Sequence, residues 1–246
     1  PSHGRLVAGR HRVRTTDRVT AAPSVSLYGH WTCPFATRVS FALAQRGIEH
    51  RVVDVPPSAV RPSDFVLPSE FVEHSPRLEI PMVRIGEEYR ADSIPVLEWL
   101  EERFASAPLL PTSAADRALV RSRTAWIDQH AYRSMLGVSY GVDPADIVRA
   151  SDALRDALAE MGDWTKDSGW LAGDRPTLAE AIAVPIYVRL PGLRRLGFDH
   201  TLPPAIEAHV QSCQDLSGWP AAAWSDAQTD EFVGRFEAYR RKRARG

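Results

Sequence analysis

The chain changes its pattern at one short, proline-bounded stretch, Ala105-Ser106-Ala107-Pro108-Leu109-Leu110-Pro111. Before it, apolar residues come in short alternating runs punctuated by turns; beyond it, strand signals nearly vanish and apolar residues recur at helical spacing. Val25 and Leu27 alternate with Ser24, Ser26 and Tyr28, which predicts a strand ending at Gly29. After the turn His30-Trp31-Thr32-Cys33-Pro34, the stripe Phe35, Val39, Ala42, Leu43 predicts a helix that stops at Arg46-Gly47. Residues 50–55 read as a second strand, so the unit is strand-helix-strand with parallel strands and a right-handed crossover. Prolines 56, 57, 62, 68 and 76 then impose loop, with a helical turn around Ser69 to Val72. Ile80 to Ile85, a turn at Gly86-Glu87 and Tyr89 to Ala91 predict an antiparallel hairpin, and Ser93 opens a helix through Ile94, Leu97, Leu100 and Phe104 with Pro95 in its first turn. Past the hinge, helices are expected at about 113–136, 144–161, 178–190, 203–214 and 229–243, the third opened by the capping box Thr177-Leu178-Ala179-Glu180. The expected architecture is therefore an α/β domain at 24–105 followed by an all-helical domain at 112–246, preceded by an extended arm at 1–23.

Composition removes several function classes. With 246 residues, 44% hydrophobic, the chain can bury a sizeable core. A formal net charge of −1 lacks the basic excess that binding to a nucleic-acid backbone requires, so no nucleic-acid partner is expected. No apolar run approaches the roughly 18 residues of a membrane span, and the arginine-bearing N-terminus lacks the apolar stretch of a secretory signal. A cytoplasmic protein without membrane attachment is the expectation. Two cysteines, Cys33 and Cys213, are too few for a disulfide framework or a thiolate zinc site, so no metal is expected either.

Cys33 stands where a strand hands over to a helix. Free amides and the helix dipole at such a position favour thiolate over thiol, which predicts a lowered pKa and a nucleophile at neutral pH. Pro34 fits the first helical turn without sacrificing a hydrogen bond. The fourth residue of Cys33-Pro34-Phe35-Ala36 is alanine, so no resolving thiol follows and any disulfide of Cys33 needs an external thiol. Cys213, inside a helical stretch, reads as a packing residue. Pro81 at the start of a strand reads as an edge feature or a cis bond. Asp92-Ser93 reads as a helix cap, or as a helix N-terminus that holds a carboxylate.

Taken together, residues Val25 to Phe104 resemble the thioredoxin-like N-terminal domain of glutathione transferases, and Trp31-Thr32-Cys33-Pro34-Phe35-Ala36-Thr37-Arg38 resembles the Cys-Pro-Phe-Ala-x-Arg signature of the cysteine-type, omega-like classes. Ser75-Pro76 with Ile80-Pro81, the pair Asp92-Ser93, the linker Pro108-Leu109-Leu110-Pro111, Gly173-Asp174-Arg175-Pro176-Thr177 and Trp219-Pro220 with Trp224 extend the resemblance over roughly residues 24 to 230. The resemblance implies a catalytic thiol at Cys33, a thiol site shaped by Phe35, the backbone of Ile80, a cis Pro81, and Asp92 and Ser93 at the amino-acid end of glutathione or another low-molecular-weight thiol. It also implies a homodimer.

The acceptor, a small electrophile or thiol conjugate, is expected between the domains, with Trp31, His130 and Tyr132 touching it. A cysteine-type member is suited to thiol transfer, deglutathionylation or reductive removal of a thioether or halide, because its thiolate can form a mixed disulfide that a second thiol releases. Two other readings stay open. One is thiol-dependent conjugation or cis-trans isomerisation, in which a bound thiol adds and leaves; the other is a non-catalytic binding or regulatory module, which the departures from the family pattern at Leu67, Ser75 and Asp92 would suit.

Overall fold

The computed structural model describes residues 24–245; the arm expected at 1–23 lies outside them. Strand β1 (Val25–Gly29) leads into helix α1 (Pro34–Gln45) and strand β2 (His50–Asp54). A loop with the short helix α2 (Ser69–His74) follows, then the hairpin β3 (Met82–Ile85) and β4 (Glu88–Ala91), and helix α3 (Ser93–Arg103). The four strands lie in the order β2-β1-β3-β4. β1 and β2 are parallel, with Leu27 opposite Val52; β1 and β3 are antiparallel, with Leu27 opposite Val83; β3 and β4 are antiparallel, with Val83 opposite Arg90. The connections suit the mixed sheet: helix α1 crosses over between the parallel β1 and β2, and the two-residue turn Gly86-Glu87 joins the antiparallel β3 and β4.

The remainder is helical: α4 (Ala114–Ile127), a π-helical turn at Asp128–Tyr132, α5 (Arg133–Tyr140), α6 (Pro144–Trp164), α7 (Leu178–Leu196), α8 (Pro204–Gln214), a 3-10 turn at Trp219–Ala221, and α9 (Asp226–Arg243). Local chemistry explains most starts. Ser113, Asp143, Thr177 and Ser225 each accept a hydrogen bond from a backbone N–H of the first turn, and the last two complete capping boxes with Glu180 and Gln228. Every residue from Leu178 to Leu190 is buried, so α7 runs through the centre of the helical part, as a helix apolar nearly all round must. It continues to Leu196 through Pro185 and Pro191, six residues past the expected stop, because burial on all sides overrides the local penalty of proline.

Two apolar clusters hold the molecule together. The larger joins one face of the sheet (Leu27, Val83, Ile85) and α1 (Val39, Phe41, Leu43) to the helical core (Ile127, Leu154, Ile182, Leu193). The smaller lies against the other face and contains Tyr28, Cys33, Ala36, Val55, Phe71, Ile80 and Met82. Cys33 thus belongs to a small core of the thioredoxin-like half.

Close backbone approach docks the segment after α8 onto α1. The Gly218 N–H donates to Gln45 Oε1 at 2.9 Å, and a Cβ built on Gly218 would lie 2.7 Å from the Phe41 carbonyl oxygen. Since backbone cannot yield there, Gly218→Ala is expected to cost about 2 kcal/mol by overpacking, read as a melting temperature lowered by about 4–8 °C. An unchanged melt would show that the segment can shift away from α1.

Candidate active site

The turn between β1 and α1 is pinned before the helix begins. The Thr32 N–H donates to His30 Nδ1 at 3.1 Å, the Thr32 hydroxyl lies 2.8 Å from the same nitrogen, and the Cys33 N–H donates to the His30 carbonyl at 3.0 Å. With both Thr32 groups donating, His30 Nδ1 is the unprotonated nitrogen. Cys33 is the N-cap of α1, and Pro34 follows at the first helical position. Its Sγ lies 3.9 Å from the Ile80 carbonyl, and the Ile80-Pro81 bond is cis. The Asp92 N–H donates to the Pro81 carbonyl at 3.2 Å, joining the start of α3 to the same loop. The structure therefore brings Cys33, Phe35, Ile80, Pro81, Asp92 and Ser93 to one place, at the ends of β1, β3 and β4.

Burial changes the expected chemistry of the thiol. Cys33 is only 6% exposed, and removal from water pushes its pKa above the ordinary thiol value. The N–H groups of Ala36 and Phe35 and the charges of Arg189 and Arg38 pull the other way without overcoming it. The expectation of a lowered pKa is corrected accordingly: the helix-start donors are present, but the desolvation of a sulfur sealed between α1 and the Pro81 loop is larger.

Arg38 ties three elements together at this place. From α1 its Nε donates to the Tyr132 hydroxyl at 3.1 Å, Nη1 to Ser93 Oγ at 3.2 Å, and Nη2 to Asp128 Oδ1 at 2.5 Å. Its guanidinium carbon lies 4.8 Å from the centre of the Phe35 ring and 4.0 Å from that of Tyr132. Burial works against the charge, but Tyr132 and Asp128 outweigh it and hold Arg38 more firmly protonated than usual. The wide π turn places Asp128 and Tyr132 together over α1; such turns often mark functional positions.

Other expected contacts lie elsewhere. Tyr132 is 1% exposed with its hydroxyl taken by Arg38 and its ring against Phe35, so it packs behind the Cys33 turn. His130 is on the outer side of the π turn, stacked on Trp126 and bonded to the Trp126 carbonyl; it lines a groove of about 1030 Å³ between the π turn, α5 and α6 to which Cys33 does not contribute. Trp31 packs edge-on against Trp224, 5.2 Å between ring centres, and lines a cavity of about 270 Å³ with His30, Thr37 and Val52. The Asp92 carboxylate is paired with Arg77.

Two residues near Cys33 were not foreseen in these roles. Tyr140, at the end of α5, sits edge-on to Phe236 and Tyr239 of α9; burial pushes its phenol pKa up, with Cys33 and Tyr239 adding to the effect. Arg189 of α7 donates to the Thr32 carbonyl at 3.0 Å, just before Cys33. Its sequence signal was a lone cation inside the apolar run from Ala181 to Leu193.

The chain thus has a thioredoxin-like domain with a cysteine at its first helix start and a cis-proline beside it, followed by an all-helical domain. The fold is that of the glutathione S-transferases: residues 32–103 match the family model of the glutathione S-transferase N-terminal domain. A rice glutathione S-transferase solved in complex with glutathione superposes with a TM-score of 0.76 at 19% identity, covering 87% of this chain and 98% of that one. Maleylpyruvate isomerase of Ralstonia sp is 27% identical over 81% of this chain and 96% of its own length. Maleylacetoacetate isomerase of Pseudomonas aeruginosa is 27% identical over 65% of this chain and 79% of its own. These matches show the fold and the N-terminal domain that this chain shares with those proteins. Among the described residues no helix is long and apolar enough to cross a membrane.

Proposed function

We propose that the protein is a thiol-dependent cis-trans isomerase of glutathione S-transferase fold, acting with glutathione or another low-molecular-weight thiol on a small unsaturated carbonyl acid. The observation that carries this reading is the burial of Cys33, which keeps its sulfur protonated at neutral pH. A protonated thiol at a helix start is a hydrogen-bond donor suited to steadying the sulfur of a bound thiol; it is a poor redox nucleophile. The similarity to two maleyl isomerases points the same way.

In this reading the tripeptide lies along the Ile80 backbone in the manner of an added strand. Ser93 receives its amino-acid end, while Asp92 does so only on exchanging Arg77 for the incoming ammonium. The bound thiolate adds to the alkene carbon β to the carbonyl: a C–S bond forms and the π electrons move to the carbonyl oxygen as an enolate. The former double bond rotates, the enolate collapses, the C–S bond breaks and the thiolate leaves unchanged. Electrons and protons balance without an oxidant. Tyr140 and α9 are positioned to cover the acceptor, and the family's usual dimer is part of the proposal.

The test is Cys33→Ser with maleylpyruvate and glutathione. A hydroxyl still donates a hydrogen bond, so isomerisation is expected to persist within about tenfold and to require the thiol. If Cys33→Ser is inert, and the parent forms a mixed disulfide at Cys33 with oxidised glutathione, thiol transfer is the function instead. The parent's Cys33 should also alkylate with iodoacetamide at a rate that climbs through an inflection above the ordinary thiol pKa, because a raised pKa leaves the reactive thiolate scarce below it. An inflection below pH 7 would remove the basis of the reading.

A further inference from the structure

We propose that Arg189 is a positioning residue supplying the uncompensated positive charge against which an anionic sulfur is held at the head of α1. The inference rests on the reading that the sulfur of a bound thiol reacts beside Cys33, and it adds what stabilises negative charge on sulfur at that place, for which the Cys33 thiol itself is the reporter. Among the described residues two guanidinium groups lie buried beside Cys33, and one of the two is paired with a carboxylate. Arg38 has the Asp128 carboxylate at 2.5 Å. Arg189, 1% exposed, has two backbone carbonyls, Pro185 at 2.7 Å and Thr32 at 3.0 Å, and its guanidinium carbon lies 4.6 Å from the centre of the Trp224 ring. Among the described residues no carboxylate pairs with it.

An unpaired buried cation is costly, and a packing role would be filled more cheaply by an apolar side chain of similar volume. Burial accordingly pulls the Arg189 pKa down to about 10, while Tyr132 and Cys33, the groups nearby that can become anions, favour its charge and Arg38 opposes it. Tyr132 is spoken for, since it accepts from Arg38 and its own pKa is raised by burial. Sulfur is the remaining candidate. The hydrogen bond to the Thr32 carbonyl sets the guanidinium on the backbone of the residue that precedes Cys33, close enough for its charge to act on the sulfur. The groups facing Cys33 are then Arg38 from α1, the Ile80 carbonyl from the Pro81 loop, Tyr140 from α5 and Arg189 from α7.

The experiment is the pH profile of Cys33 alkylation in the free enzyme, which needs neither substrate nor thiol and so stands apart from the isomerase test. Arg189→Gln, with fold checked by circular dichroism, is expected to move the inflection up by about one pH unit. Arg189→Lys, which keeps the charge, should stay within about 0.3 unit of the parent. An unmoved inflection in Arg189→Gln overturns the proposal, as does an equal rise in both variants, since that would make the carbonyl bonds, and not the charge, the operative feature. Should Arg189→Gln not fold, Arg189→Met is read in its place: a rise of about one pH unit supports the proposal and an unmoved inflection overturns it.

Discussion

Arg38→Met is expected to lower the melting temperature by about 6–12 °C, the equivalent of about 3 kcal/mol in a chain of this size. The methionine can occupy much of the space between Phe35 and Tyr132, so the loss comes from three hydrogen bonds and the cation stacked between two rings. Asp128 is left without its partner, but its side chain is 40% exposed and rehydrates, which keeps the cost below that of an orphaned buried charge. Arg38→Lys should fall between, because an ammonium keeps the ion pair and gives up the fork that reaches Ser93 and Tyr132 at once. If the isomerase reading holds, both variants raise KM for the thiol more than they lower kcat, since Ser93 loses the donor that fixes its hydroxyl. A melt within about 2 °C of the parent would show that the three elements hold together without their common guanidinium.

Much of the architecture was legible because it is written in local chemistry. Pro34 after Cys33, the Gly86-Glu87 turn, the prolines from 56 to 76 and the Thr177-Glu180 box each act within a few residues, and the structure has the expected element at each. Ends decided by burial were harder to place. The helical run expected to stop at 136 passes through the π turn and runs on in α5 to Tyr140, and α7 outlasts Pro191, because the bodies packed around them make helix the better conformation regardless of propensity.

The site divides along the same line. That Cys33 and Ser93 each open a helix directly after a turn or strand was legible in the residues; their place beside the Pro81 loop followed from resemblance. The cis state of Ile80-Pro81 followed from resemblance, whereas the residue pattern alone left edge and cis readings open. The surroundings of His130 and Tyr132 were not legible, because helical spacing says which residues share a face but not what that face meets, and the π turn shifts the register. Arg38 stood in the quoted motif, yet its role depends on Asp128, 90 residues away. The depth of Cys33 was invisible for the same reason: a helix-start cysteine reads as activated until the packing that seals it is known.

Glu180→Ala is expected to have the largest effect on stability, about 3–5 kcal/mol and a melting temperature lowered by about 6–20 °C. The carboxylate is fully buried beneath the start of α7. Oε1 accepts from the Leu171 N–H at 2.6 Å and faces His209 Nε2 at 3.4 Å; Oε2 accepts from the Thr177 N–H at 2.7 Å and the Thr177 hydroxyl at 2.9 Å. With Nε2–H directed at Glu180, His209 Nδ1 accepts from the Tyr187 hydroxyl at 2.9 Å, so the network reaches α8. Alanine would strand these donors where no solvent reaches, and unsatisfied buried donors are the expensive half of a broken hydrogen bond. Glu180→Gln discriminates between the hydrogen bonds and the mere filling of space. Its single carbonyl oxygen can serve one side of the network while its NH2 turns toward donors on the other, so it should lose about half as much as alanine. Equal melts for Glu180→Gln and the parent would mean that the acceptors are dispensable, and that the capping box holds α7 through Thr177 alone.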